Sequence, residues 1–444
     1  MNAKWKELGL RCTWWGAALL WVGCKADTWQ TVLGRTKDVQ TYTLIEVVNP
    51  LKIDRPQEIV EIPLTTIQSR YRSFNPEDFS VHLLGREFLP EGDPIMASNP
   101  PPEIPGQVID QNRDGSPDTL LALMDFGANE SHTLAVASPR FSLLLPPPLN
   151  HARAELWLKA AGGEYSASDV ALLPFGSKID SGIYQFGGPV METDAIGWRI
   201  PVGAYPWVDV MGKRAEGMVL TDNVAKEYQD PAMFSAAQSL IGKSNGFGAG
   251  TLAQAIDESC ARIASHGPVQ YRRLENGPVM SEIEIRIEDC QLGEQRFDVS
   301  WYIAAFAGNS FLRHEIQVER TGHSLAFAID DQGGEMREKP SREFGWMRTI
   351  TYGSTNVRTG VGGALGMGLM IRGNLTNGFV EFTRDTLGVR LYPMQRSFSL
   401  FTFSSWSMAP GGATDIEALA RMMDAFAERQ NSKVQARNID HAGA

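Results

Sequence analysis

Val279-Met280-Ser281-Glu282-Ile283-Glu284-Ile285-Arg286-Ile287-Glu288 decides the fold class. Val279, Ile283, Ile285 and Ile287 share one parity; Glu282, Glu284, Arg286 and Glu288 share the other. Successive side chains of a strand point to opposite faces, so this stretch is a strand with one apolar and one polar face, the pattern of an antiparallel sheet. Strand-like runs recur on both sides of it, at 154–160, 197–202 and 217–220 before, and at 297–307, 311–319, 325–330 and 379–392 after. So many strands with few helices between them predict a large β-sandwich over residues 152–430, not a βαβ fold. The clearest helix comes last: Thr414-Asp415-Ile416-Glu417 reads as a capping box. Ile416, Leu419, Ala420, Met423, Phe426 and Ala427 then share one helical face. The polar segment 431–444 reads as a flexible tail.

Upstream, residues 38–140 read as a small all-β domain, with strands at 41–48, 58–63, 80–84 and 119–126. Pro146-Pro147-Pro148 marks the link to the large domain. Within the small domain lies Asp110-Gln111-Asn112-Arg113-Asp114-Gly115-Ser116-Pro117-Asp118. Oxygen ligands at alternate positions followed by glycine are how a short loop wraps calcium. An EF-hand requires Glu at the twelfth position, where Leu121 stands, so the expectation is a shorter structural Ca2+ loop held by Asp110, Asn112, Asp114 and Asp118. The same residues also suit a turn whose side chains cap backbone donors.

Composition sets limits. The chain has 444 residues, 43% hydrophobic and 21% charged, as in globular proteins, and its length favours two domains. A net charge of −11 argues against a nucleic-acid partner. The start, residues 1–24, reads as an export signal: Lys4, Lys6 and Arg11 precede a short apolar run ending in Leu20-Trp21-Val22-Gly23-Cys24. That ending resembles a lipoprotein box with Trp21 where Leu is usual. It predicts a protein of the periplasm or cell envelope, anchored to the membrane only through lipid on Cys24; a plain secretion signal is the alternative. Beyond the signal stand Cys260 and Cys290, either a disulfide or two buried thiols.

The stretch 186–220 concentrates aromatic and charged side chains: Trp198 and Trp207, Glu192, Asp194 and Asp209, and Arg199, Lys213 and Arg214. Rings beside charged hydrogen-bonding groups fit a sugar or uronic acid, whose carboxylate needs a cation. Arg199, Lys213, Arg214 and Arg286, with Trp198 for stacking, are the substrate-binding candidates. Lyases need a base beside that carboxylate and glycosidases need two carboxylates. Glu192, Asp209, Glu275 and His314 are the catalytic candidates, with His151 an equal choice among the seven histidines. Each has a structural alternative: a salt bridge, a turn cap or a core position. Gly242–Gly250 and Val361–Gly368 lack the surroundings of a phosphate loop or a dinucleotide unit, so no nucleotide cofactor is expected.

In this order, several of these pieces resemble the domain-of-unknown-function family numbered 4861. They are the Asp110–Asp118 turn, Glu192-Thr193-Asp194 with Trp198-Arg199, Asp209 with Gly212-Lys213-Arg214, Gly246-Phe247-Gly248-Ala249-Gly250, and Leu274-Glu275-Asn276-Gly277-Pro278 leading to Arg286. The resemblance implies an all-β protein: a small N-terminal β-sandwich, then a large galactose-mutarotase-like antiparallel β-supersandwich with a C-terminal helix. It also implies bacterial polysaccharide utilisation. Asp230-Pro231-Ala232-Met233-Phe234-Ser235 departs from the family pattern, where a His and a Trp-Gly pair are expected, so no role is carried over to that loop. The function expected is an exported protein acting on uronic-acid-containing oligosaccharides, by elimination or hydrolysis. The alternatives are a non-catalytic carbohydrate-binding lipoprotein and a structural envelope protein.

Overall fold

The computed structural model describes residues 42–84, 101–138, 148–160, 162–177, 181–221, 237–241, 247–257, 259–292, 294–331, 336–355, 361–383 and 386–439. The export signal with Cys24, Pro146 and Pro147, Asp230–Ser235 and the start of the 242–250 glycine segment lie outside them.

Met280–Leu292 forms a single 13-residue strand. Its Ile283, Ile285 and Ile287 point into the main core beside Trp301, Ile303 and Phe327. The strand pairs antiparallel with Val269–Asn276 on one side and Gln295–Phe306 on the other. These belong to a ten-stranded sheet that runs through Phe311–Val318, Ser397–Trp406, Ala364–Arg372 and Trp346–Ser354 to Met336–Glu343. Two five-stranded sheets pack across it. One is ordered Ala237–Ser239, Asp209–Lys213, Gly197–Arg199, Val190–Thr193, Ala152–Glu155; the other is centred on Leu325–Asp330. The large antiparallel sandwich expected from the alternation is the architecture found.

The alternation needs one correction. Glu282 and Glu284 were expected to face water, yet both are buried. Glu284 is paired within the sheet, 2.8 Å from Arg272. The small domain covers Glu282: the Arg113 guanidinium lies 3.8 Å from the centroid of the Tyr302 ring. It reaches Glu282 at 2.6 Å and Glu315 at 2.8 Å.

The small domain is itself a sandwich. A five-stranded sheet in the order Gln435–Asn438, Tyr42–Val48, Ser131–Ala137, Ser80–Leu84, Glu103–Ile104 faces a three-stranded one of Arg55–Pro63, Thr119–Phe126 and Gly106–Ile109. Ile45, Val47, Val60, Ile62, Leu120 and Leu134 fill the space between them. Its first strand is chain-terminal in origin: Gln435–Asn438 pairs with Tyr42–Val48, Ile45 opposite Asn438. The expectation of a flexible tail over 431–444 is therefore corrected for the described residues, up to 439. The reason lies far away in sequence, where the buried Arg55 guanidinium bonds the Ser432 carbonyl.

The C-terminal helix Ile416–Asn431 buries Leu419, Met423, Phe426 and Ala427 on the outer face of the ten-stranded sheet, against Phe311, Phe401 and Phe403. Its cap is Asp415, one residue later than the box suggested, accepting from the Ala418 N–H at 2.7 Å. Cys260 and Cys290 are both free thiols, pushed up to about 12 by burial.

Candidate functional site

A cleft of about 420 Å³ opens where the small domain, the sheet containing Val190–Thr193 and the start of the C-terminal helix meet. His151, Asp194, Glu216, Gln57, Ser404 and Trp406 are among its walls. Strand pairing puts the first two together. Thr193 is opposite Ala152 in the antiparallel register. Asp194, leaving one strand, therefore stands beside His151, entering the other. The turn after Thr193 is closed by its N–H to the Ile196 carbonyl at 2.9 Å, and the His151 N–H is held by the Pro278 carbonyl at 3.0 Å.

The His151 Nδ1 lies 3.0 Å from Asp194 Oδ2, with both side chains partly exposed. The hydrogen bond to Asp194 raises the His151 pKa above its ordinary value, against the opposing effect of partial burial. When neutral with Nδ1–H given to the carboxylate, the ring keeps its Nε2 lone pair as a base; when protonated, it is an acid whose orientation Asp194 fixes. Glu216 follows the strand Asp209–Lys213 on an exposed turn. On the same turn, the Arg214 guanidinium lies 5.1 Å from the centroid of the Trp406 ring. The cleft thus gathers a histidine–carboxylate pair, a further carboxylate and serine hydroxyls, while Arg214 lies outside its lining, against the buried Trp406 ring.

Most of the 186–220 candidates lie elsewhere. Glu192 and Lys213 are fully buried and paired at 2.9 Å. Lys213 Nζ also donates to the Thr193 and Gly217 carbonyls. Glu192 accepts from the N–H groups of Val219, Leu220 and Thr221 and from the Thr221 hydroxyl. Every polar atom of this pair is satisfied inside the protein, so Glu192 as catalyst and Lys213 as substrate ligand are corrected to a loop anchor. Asp209 is buried too, which raises its pKa, while Arg199 partly offsets that. Its Oδ2 accepts from Arg199 Nε at 2.9 Å and the Ser239 hydroxyl at 2.7 Å. Trp198 has no exposed surface and its Nε1 points to Ser404 Oγ at 3.4 Å. Burying a Trp hides roughly 200 Å² and contributes on the order of 5 kcal/mol, which is core work and not a stacking platform.

His314 is likewise a core residue. Its Nδ1 accepts from Trp301 Nε1 at 3.1 Å, its Nε2 bonds the Thr402 hydroxyl at 2.8 Å, and burial lowers its pKa to about 3. It is a neutral hydrogen-bond bridge with no path to solvent, and its assignment as general acid or base is corrected accordingly. Glu275 stands at the domain boundary, raised in pKa by burial and bonded by Gln107 Nε2 at 3.2 Å. Arg286 is half-exposed on the ten-stranded sheet, 3.4 Å from Glu288.

At the Asp110–Asp118 turn, the side chains bond the loop's own backbone. Asp110 accepts from Gly115 N at 2.7 Å, Asn112 from Asp114 N at 2.8 Å, Asp114 from Ser116 N at 2.9 Å, and Asp118 from Gln111 N and Asn112 N, each at 3.2 Å. Among the described residues no three His, Cys, Asp or Glu side chains converge as a metal site. What the turn positions is Arg113.

The sequence marks His151 and Asp194 as candidates but not their adjacency, and does not single out Glu216, Gln57 or Trp406. The one available signal was that His151 and Asp194 each lie just outside the end of a short strand.

The chain is 20% identical over 318 residues to Uncharacterized protein P7 of Formosa agariphila, spanning 70% of this chain and 72% of that protein. Among solved structures it aligns with an alpha-mannosidase from Enterococcus faecalis V583 at a TM-score of 0.44 and 9% identity, over 91% of this chain and 46% of that one. A protein in the glycosyl hydrolase family 38 from Enterococcus faecalis gives 0.40 and 10%, over 92% of this chain and 49% of that one. The chain spans about half the length of those two structures. Residues 47–436 match the family described as Domain of unknown function (DUF4861), and the chain belongs to that family.

Proposed function

We propose that this is a carbohydrate-active protein whose working site is the His151–Asp194 cleft, and that it acts on uronic-acid-containing oligosaccharides. The observation that carries the reading is the 3.0 Å contact that orients His151 within an open, hydroxyl-lined cleft. His151 is the proton-transferring group, and Arg214 beside Trp406 is the cation for a sugar carboxylate. In elimination, His151 takes the proton from the carbon next to the carboxylate. That electron pair forms the carbon–carbon double bond, and the glycosidic oxygen leaves with its own pair. Calcium at the Asp110–Asp118 turn is part of the same proposal, on donor chemistry alone, in a role that steadies the loop. Export through residues 1–24 with lipid on Cys24 is a further part, tested by fractionating cells that carry Cys24→Ala.

The test is to incubate the purified protein with uronic-acid oligosaccharides and follow both mass and the absorbance of unsaturated sugar. The expected result is turnover that falls about 10²-fold or more in His151→Ala. Saturable binding without turnover moves the protein to the binding class. Turnover unchanged in His151→Ala removes the cleft as the site.

A further inference from the structure

Past His151 the cleft does not end. Gln57 lines it and also lines a second, narrower recess of about 80 Å³, walled by Phe306, Phe311, Phe401 and Arg313 of the large sheet and by Phe426 of the C-terminal helix. Gln57 has a left-handed backbone, φ 49°, which glutamine rarely adopts. It sits where the pairing of Arg55–Pro63 with Thr119–Phe126 shifts register between Arg55 and Glu58. Its N–H is held by Asp125 Oδ1 at 2.7 Å. Bulges of this kind re-aim a side chain. Here the amide is aimed across the domain boundary at Gly308, itself left-handed at φ 68°, where an added Cβ would come within 2.3 Å of Gln57 Oε1. Two backbone irregularities, one in each domain, bring a hydrogen-bonding amide to the junction of a polar cleft and an aromatic recess.

One ring of the recess, Phe306, is partly exposed; Phe311, Phe401 and Phe426 behind it are buried in the core between sheet and helix. Phe306 and Phe311 have centroids 5.8 Å apart, Phe311 and Phe401 5.6 Å apart, and the Arg313 guanidinium lies 5.1 Å from the centroid of Phe306. A pyranose has a face of C–H groups and a rim of hydroxyls, so it suits aromatic carbon with a guanidinium and an amide at its edges. At about 80 Å³ the recess is too small to enclose a pyranose, and Glu58, Glu61 and Arg429 stand with Arg313 and Gln57 along it.

We infer that the recess is a second sugar subsite, so that the protein takes an oligosaccharide of at least two units, one over His151 and the next on Phe306, with the Gln57 amide between them. The inference rests on the reading of the cleft as a carbohydrate site. Isothermal titration of the purified chain with galacturonic acid, its dimer, trimer and tetramer, and in parallel with glucose and its β-linked oligomers, tests it. The expected result is an affinity gain of about tenfold or more from monomer to dimer, about 1.4 kcal/mol. That ratio falls to about one in Phe306→Ala and in Gln57→Gly. Glycine suits the left-handed backbone, so Gln57→Gly melts no lower than the parent and carries the test if Phe306→Ala does not fold. Equal affinity for monomer and dimer, or a gain kept in both variants, overturns the subsite and leaves the cleft reading standing. Failure of both series to bind overturns the two together.

Discussion

His151 and Asp194 meet because Ala152 and Thr193 are cross-strand partners, a register that leaves Nδ1 and Oδ2 3.0 Å apart at one edge of the cleft. Asp194 raises the pKa of His151 above its ordinary 6.5. A raised folded value stabilises the protein fully below about pH 6.5, and that contribution is lost as pH rises through the folded value. Histidine-resolved NMR titration should place His151 above its ordinary value, and Asp194→Asn should bring it down. A His151 that titrates the same in both forms would mean the pair is not formed.

Lys213 and Glu192 form an ion pair with no solvent on either side. Removing one partner leaves a buried charge without compensation, at a cost of about 3–5 kcal/mol. Lys213→Ala and Glu192→Ala should each lower stability in denaturant by that order, while Lys213→Met with Glu192→Leu costs less than the two single losses added. A loss under ~1 kcal/mol in the single variants would contradict the buried placement.

His314 is neutral in the fold, its pKa lowered to about 3 by burial. A depressed folded value gives stability that is present above pH 6.5 and lost as pH falls toward 3. The slope of unfolding free energy between pH 6 and 4 should be shallower in His314→Asn than in the parent. Identical slopes would show that another group sets the acid sensitivity.

The returning strand Gln435–Asn438 covers an edge of the small domain and gives Arg55 its carbonyl partner at Ser432. A chain ended after Asn431 loses both, leaving a buried guanidinium short of an acceptor. The expected cost is about 2 kcal/mol or more, read by chemical denaturation. Unchanged stability would assign the strand no structural weight.

Calcium at the Asp110–Asp118 turn makes a direct prediction: millimolar Ca2+ raises the melting temperature over EDTA, and Asp110→Ala abolishes the rise. Equal melting in Ca2+ and EDTA would leave the turn to its backbone hydrogen bonds alone.

Sequence alone determined the fold class, because strand periodicity is local: the isoleucines at 283, 285 and 287 mark an inward face whatever packs on it. It determined the C-terminal helix for the same reason, through the spacing of Leu419, Met423 and Phe426. It did not determine which charged residues meet water. Glu192 and Asp194 are two positions apart, yet Glu192 anchors a loop in the interior and Asp194 lines the cleft. The register of 190–193 on 152–155, the return of 435–438 to the small domain and the reach of Arg113 onto Tyr302 are contacts between distant segments. Only the tertiary structure decides them. Whether a carboxylate is a catalyst or a tether depends on what the rest of the chain brings beside it, and local sequence carries no record of that.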